Sequence, residues 1–232
     1  MKTFRVRDAM SKILLAMLAI SFVYGAAGLA VTLAGRTLIT ARRTGDYVKV
    51  ILECLLGVFA LFLPSALERN FKITFPNGMH IFFVVFLYAA VILGEVRGFY
   101  RRFFHWDTVL HALSGAMLAS FGFSIIDIIN RSERINLGLS DWFMSFFSFC
   151  FAVMLDTLWE IVEFGMDAFL SLNMQQYILP DGTVLSGHAA VVDTMKDLIV
   201  DVLGALCISV IGYILLKKRR PESENTAAAT KG

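Results

Sequence analysis

Residues 106–126 read WDTVLHALSGAMLASFGFSII, and the reading of this stretch decides the fold. Beyond its opening it is apolar or small. It is also long enough for the roughly 20 positions that an α-helix needs to cross a bilayer at about 1.5 Å per residue. Yet it begins with Asp107 and His111, four positions apart and so on one helix face. The opening phrase returns as DTLWE at 156–160 and as DTMKD at 193–197, within or beside other apolar runs. The stretch reads as a membrane helix that carries polar chemistry, and the chain repeats the pattern.

Runs of comparable length occupy roughly 13–35, 47–65, 79–96, 108–129, 142–168 and 194–216. Of the 232 residues, 57% are hydrophobic and 17% charged, against about 45–50% and 25% in a soluble domain. The runs lack the two-residue alternation of a membrane β-barrel. The expected fold is therefore an all-α, polytopic membrane helical bundle of about six transmembrane helices. It forms one domain over 1–216, followed at 217–232 by a basic and then polar tail whose composition predicts disorder.

The first run resembles a secretory signal peptide, but its apolarity continues through Ala34, past a signal core of about 7–15 residues. An uncleaved first helix is expected. Cys54, Cys150 and Cys207 lie inside apolar runs without regular spacing, which predicts small hydrophobes and no disulfide or zinc framework. Gly25 with Gly28, and Gly204 with Gly212, predict close helix packing. There is no Gly-rich nucleotide loop, and the formal net charge is only +2. No nucleic-acid partner is expected; the partner that the composition demands is the lipid bilayer.

Orientation follows from Lys and Arg, which favour cytoplasmic loops. With the N-terminus inside, the cytoplasmic segments hold 13 of the 21, including the block Lys217–Arg220, and the opposite side holds 8. Both termini are expected in the cytoplasm. That topology collects ten of the 19 acidic residues in one extracytoplasmic layer: Glu53, Glu95, Asp107, Asp156, Glu160, Glu163, Asp167, Asp193, Asp197 and Asp201. His80 and Asp127 fall at the other side.

Helical spacing aligns Asp107 with His111 and Gly115; Asp156 with Glu160, Glu163 and Asp167; and Asp193 with Asp197 and Asp201. An Asp at the centre of a membrane helix costs roughly 2.5–3.5 kcal/mol on insertion scales, so such residues face a cavity or a partner. Clustered carboxylates also repel one another, and bound cations, shared protons or the nearby Arg97, Arg101, Arg102 and Lys196 must compensate them. Asp107 and Asp193 also stand where an Asp is an ordinary N-cap, and the three arginines where they commonly reach for head groups.

Three parts of this pattern, Trp106-Asp-x-x-x-His111-x-x-x-Gly115, Trp159-Glu160-x-x-Glu163 and Asp193-x-x-x-Asp197-x-x-x-Asp201-x-x-Gly204, resemble the uncharacterised bacterial YjdF-like inner-membrane family. They are more distantly similar to VanZ-like proteins. The resemblance implies an envelope-linked protein of the bacterial plasma membrane and supplies no reaction.

From the residues, the first expectation is a metal-dependent enzyme acting on a lipid-linked or envelope substrate. Carboxylates with one His suit Mg²⁺, Mn²⁺ or Zn²⁺. Asp107, His111, Asp156, Glu160, Asp197 and Asp201 are the metal candidates, and Asp107, His111, Glu160 and Asp201 the catalytic ones. Arg97, Arg101, Arg102, Glu95, Glu163 and Asp193 are the candidates for holding substrate. The alternatives are a cation or proton transporter, and a structural or immunity-type scaffold whose polar cluster fixes helix packing.

Overall fold

A computed structural model describes residues 2–36, 42–71, 74–130, 138–179 and 181–229. Lys72, Arg131, Arg134 and Lys231, which carry part of the charge argument for orientation, lie outside the described residues. Helix α1 is Lys2–Leu33, α2 is Thr44–Phe71, and α3 is Asn77–Leu87, continued by a π-helix over Tyr88–Val96. The short α4 is Phe99–Arg102, α5 is Trp106–Asn130, α6 is Asp141–Leu170 and α7 is Val192–Ala229, entered through a 3₁₀ turn at Gly187–Val191. Six of these segments are long and apolar enough to span a membrane. Among the described residues the only extended pairing is one bridge between Ile178 and Val184. The chain is an all-helical polytopic membrane protein.

Helix α7 continues through the basic block to Ala229, where composition predicts a disordered tail. Elongating an existing helix needs no new nucleus, and Ala and Glu are good helix formers.

The chain divides into two compact units, Met1–Leu110 with Glu160–Lys196, and His111–Trp159 with Asp197–Gly232. In the first unit α1 and α2 approach closely at two glycines. A Cβ at Gly28 would overlap the Tyr47 ring, and one at Gly25 would lie 3.0 Å from Ile51. Small residues allow this approach, and dispersion across it replaces the hydrophobic drive that lipid does not supply. Leu14, Leu18, Val50, Cys54, Val84, Leu87 and Val91 form the core alongside. The second unit is built on smaller side chains, Ala119, Ala152 and Ala205.

Candidate functional site

The geometry of the second unit begins with two glycines. A Cβ at Gly115 of α5 would overlap the carbonyl oxygen of Asp201, and one at Gly204 of α7 would overlap that of Ala112. Each helix thus presses its backbone against the other's, and only Gly leaves room. His111 stands one turn before Gly115, and Asp201 lies at the contact itself, so the crossing delivers the imidazole to the acidic stripe of α7. His111 Nδ1 lies 3.0 Å from Asp201 Oδ2, and Nε2 lies 3.9 Å from Asp197 Oδ2. Asp197 and Asp201 are 2% and 1% exposed, so this arrangement is sealed from water. Nearby, the Ser114 hydroxyl donates to Asp156 Oδ1 at 2.7 Å, tying α6 to α5. At its C-terminal end Gly122 packs on the Ser148 backbone.

The described lysines of this unit are Lys217 and Lys218. Lys217 lies 16 residues beyond Asp201 (217 minus 201), about 24 Å along α7.

The first unit holds a second cluster, which sequence spacing did not single out. Lys49 Nζ lies 3.8 Å from Glu53 on the next turn and 3.3 Å from Glu95. Glu95 arrives there through the π-helix, whose last ring closes with the Arg97 amide donating to the Ile92 carbonyl at 2.9 Å. Gly98, at φ 73°, then takes a left-handed conformation that favours Gly, and turns the chain into α4. This lays the Tyr100 ring on Gly94, where a Cβ would overlap it, with Lys49 Nζ 5.7 Å from the ring centroid. The Arg42 guanidinium donates to the carbonyls of Glu95 and Val96 at 2.9 and 2.7 Å, satisfying the end of the π-helix. Burial pushes the Tyr100 phenol well above its ordinary value, and the charges of Glu53, Asp107, Glu163 and Glu95 push it further.

The remaining sequence candidates have other settings. Gln176 donates to Asp107 Oδ2 at 2.9 Å. Asp167 is buried and accepts from the amides of Met174 and Gln175 at 2.7 and 3.0 Å, so it clamps the loop after α6. Glu160 is buried, and Glu163 and Asp193 are half-buried, all three in the first unit. Arg97, Arg101 and Arg102 are exposed, and Arg101 Nη1 lies 3.3 Å from Asp46. The cation compensating Glu53 and Glu95 is Lys49; its i,i+4 spacing to Glu53 was the available signal.

A family model described as a predicted membrane protein, DUF2238, matches residues 13–218. An uncharacterised protein of Thermotoga maritima is 31% identical over 154 residues, 66% of this chain and 70% of that relative. No solved structure matches. With a match running from within the first span to the end of the last, the chain belongs to the DUF2238 family of predicted membrane proteins.

Proposed function

We propose that the His111 cluster is an intramembrane divalent-cation site, and that the protein is a cation-dependent enzyme acting on a lipid-linked envelope substrate. One observation carries this reading: His111 has a buried carboxylate at each ring nitrogen, at two different distances. At 3.0 Å, Nδ1–H donates to Asp201, which fixes the tautomer and turns the Nε2 lone pair towards Asp197. The 3.9 Å between Nε2 and Asp197 is too long for a hydrogen bond. It accommodates a metal with bonds of about 2.0–2.2 Å to each side. A carboxylate behind a metal-bound His is a common supporting arrangement. Asp201 is then a positioning residue, and His111 and Asp197 are ligands.

A bound cation would activate water or polarise a phosphoryl or acyl oxygen. The lipid setting favours a substrate anchored in the same membrane; the resemblance to YjdF-like proteins supports a bacterial inner membrane, and the distribution of Lys and Arg supports a site towards the extracytoplasmic face. A fixed site is favoured over a through-pathway. Beyond Asp201, α7 carries no acid as far as Lys217, so no relay of carboxylates continues along it.

The test is elemental analysis and thermal unfolding of purified protein with and without chelator. Near-stoichiometric Zn²⁺ or Mn²⁺, lost with a lower Tm in chelator, is expected. Asp197→Asn should abolish binding, and Asp201→Asn should weaken it about 10- to 100-fold, as for other supporting residues. Metal-free protein indifferent to chelator would overturn the reading in favour of protons shared at His111.

A further inference from the structure

A cavity of about 210 Å³ lies in the first unit, among the N-terminal part of α1, the C-terminal part of α2 and the start of α3. Along α2 its lining begins about two turns beyond Glu53 of the Lys49 cluster, and it has the opposite character. Arg7 and Lys12 line it with Ser11, Ser65 and His80, and Asp8 is its one acidic lining residue. His80 is buried and held by Glu68, whose Oε1 lies 3.1 Å from Nε2 and also accepts the Phe75 amide at 2.9 Å. The imidazole wall is therefore fixed in place. Leu15, Leu61, Phe62, Phe83 and Val84 form the apolar remainder.

We propose that this cavity binds the phosphodiester of an anionic phospholipid in the adjoining leaflet. Three features select that ligand. Asp8 lies 3.5 Å from Arg7 Nε and leaves Lys12 as the surplus positive charge of the lining, which suits a singly charged phosphodiester better than the nearly double charge of a free phosphate monoester. The volume is below the roughly 300–1,000 Å³ of sites that enclose a whole small molecule, so it admits a head group and leaves acyl chains outside. Those chains have a surface to follow. Phe62, itself in the lining, is 54% exposed, and Ile13 and Leu63, next in sequence to the lining residues Lys12 and Phe62, are 61% and 40% exposed. Basic pockets between membrane helices hold lipid head groups by this combination, and Arg7 offers the planar fork that suits phosphate oxygens.

The test is thermal unfolding of the purified full chain in detergent, titrated with phosphatidylglycerol, phosphatidylcholine or inorganic phosphate, with native mass spectrometry counting bound lipids. A Tm rise and one retained lipid are expected with phosphatidylglycerol alone. The Arg7→Gln/Lys12→Gln variant should need at least about tenfold more lipid for the same shift, as for the loss of one charge-assisted contact. Lys217→Gln/Lys218→Gln should respond like the unmodified chain. Should the first variant not fold, Lys12→Gln at an exposed position gives the same readout. An equal response in the Arg7/Lys12 variants, or an equal rise with phosphatidylcholine, would overturn the proposal. Stabilisation by inorganic phosphate as strong as that by lipid would overturn its lipid source.

Discussion

The two buried acidic clusters face the same physical problem and meet it with different cations. Around Lys49, an ammonium stands 3.3 and 3.8 Å from Glu95 and Glu53, supplied by the same helix as one of the carboxylates. Around His111, the neighbouring group is an imidazole flanked by Asp197 and Asp201. A lysine is charged under all ordinary conditions, whereas an imidazole changes its charge near neutrality and offers a lone pair when neutral. The first cluster therefore carries a fixed cation of its own. The second is responsive, and that difference points to His111 as the place where ligand or proton enters.

The largest expected effect breaks the Lys49 cluster. Lys49→Met should lower stability by about 3–5 kcal/mol, because it leaves two buried carboxylates without their cation. Adding Glu53→Gln and Glu95→Gln should restore most of it in detergent unfolding. A Lys49→Met protein as stable as the starting chain would mean that the ammonium does not hold the cluster. Next, a divalent cation at about 100 times its dissociation constant should stabilise the folded state by about 2.7 kcal/mol. That increment should survive in Lys49→Met and vanish in Asp197→Asn, which separates the two clusters in one assay.

A smaller effect comes from the helix crossing beneath His111. Gly204→Ala should cost about 1–3 kcal/mol through overpacking and should also weaken the cation increment, since the carbonyl of Ala112 must move. Gly165→Ala, where a Cβ meets nothing within 4 Å, should instead be neutral or stabilising by up to about 1 kcal/mol. The smallest effect concerns Tyr100. Its phenol titrates above the ordinary value of 10.0, so between pH 10 and the folded value the unfolded chain has lost a proton that the folded chain keeps. Stability should fall with rising pH in that window. Tyr100→Phe should flatten the fall, and identical pH profiles for the two proteins would remove Tyr100 as its source.

The six spans were legible because apolar run length is a one-dimensional property; the run expected at 79–96 became Asn77–Val96. His111 and Asp201 were both candidates by helical spacing, and their 3.0 Å pairing is the structure's own addition. Spacing by four puts Asp107, His111 and Gly115 on one face, and Gly204, one of the glycines expected at close helix packing, is where α7 meets α5. The contact of Lys49 with Glu95 had no such signal, because Glu95 is reached through a π-helix and a local change in helical period has no signature in residue type. His80 was set aside as lying on the other side of the membrane, yet Glu68 and Phe75 build around it. Contacts across a loop of that kind depend on loop geometry, which composition does not encode.

The π-helix at Tyr88–Val96 also has a consequence for sequence change. Such a segment behaves as an α-helix that has taken in an extra residue, and each residue turns an α-helix by about 100°. Deleting one residue between Tyr88 and Ile92 would let the segment rewind as plain α-helix. Both ends would then keep their facing, with Leu87 in its packing and the acid at Glu95 still turned towards Lys49. The same deletion within Asn77–Leu87 has no extra residue to absorb it and would turn everything beyond it by about 100°, so the π-helix is the stretch of this membrane crossing where a one-residue change in length leaves the aim of Glu95 intact.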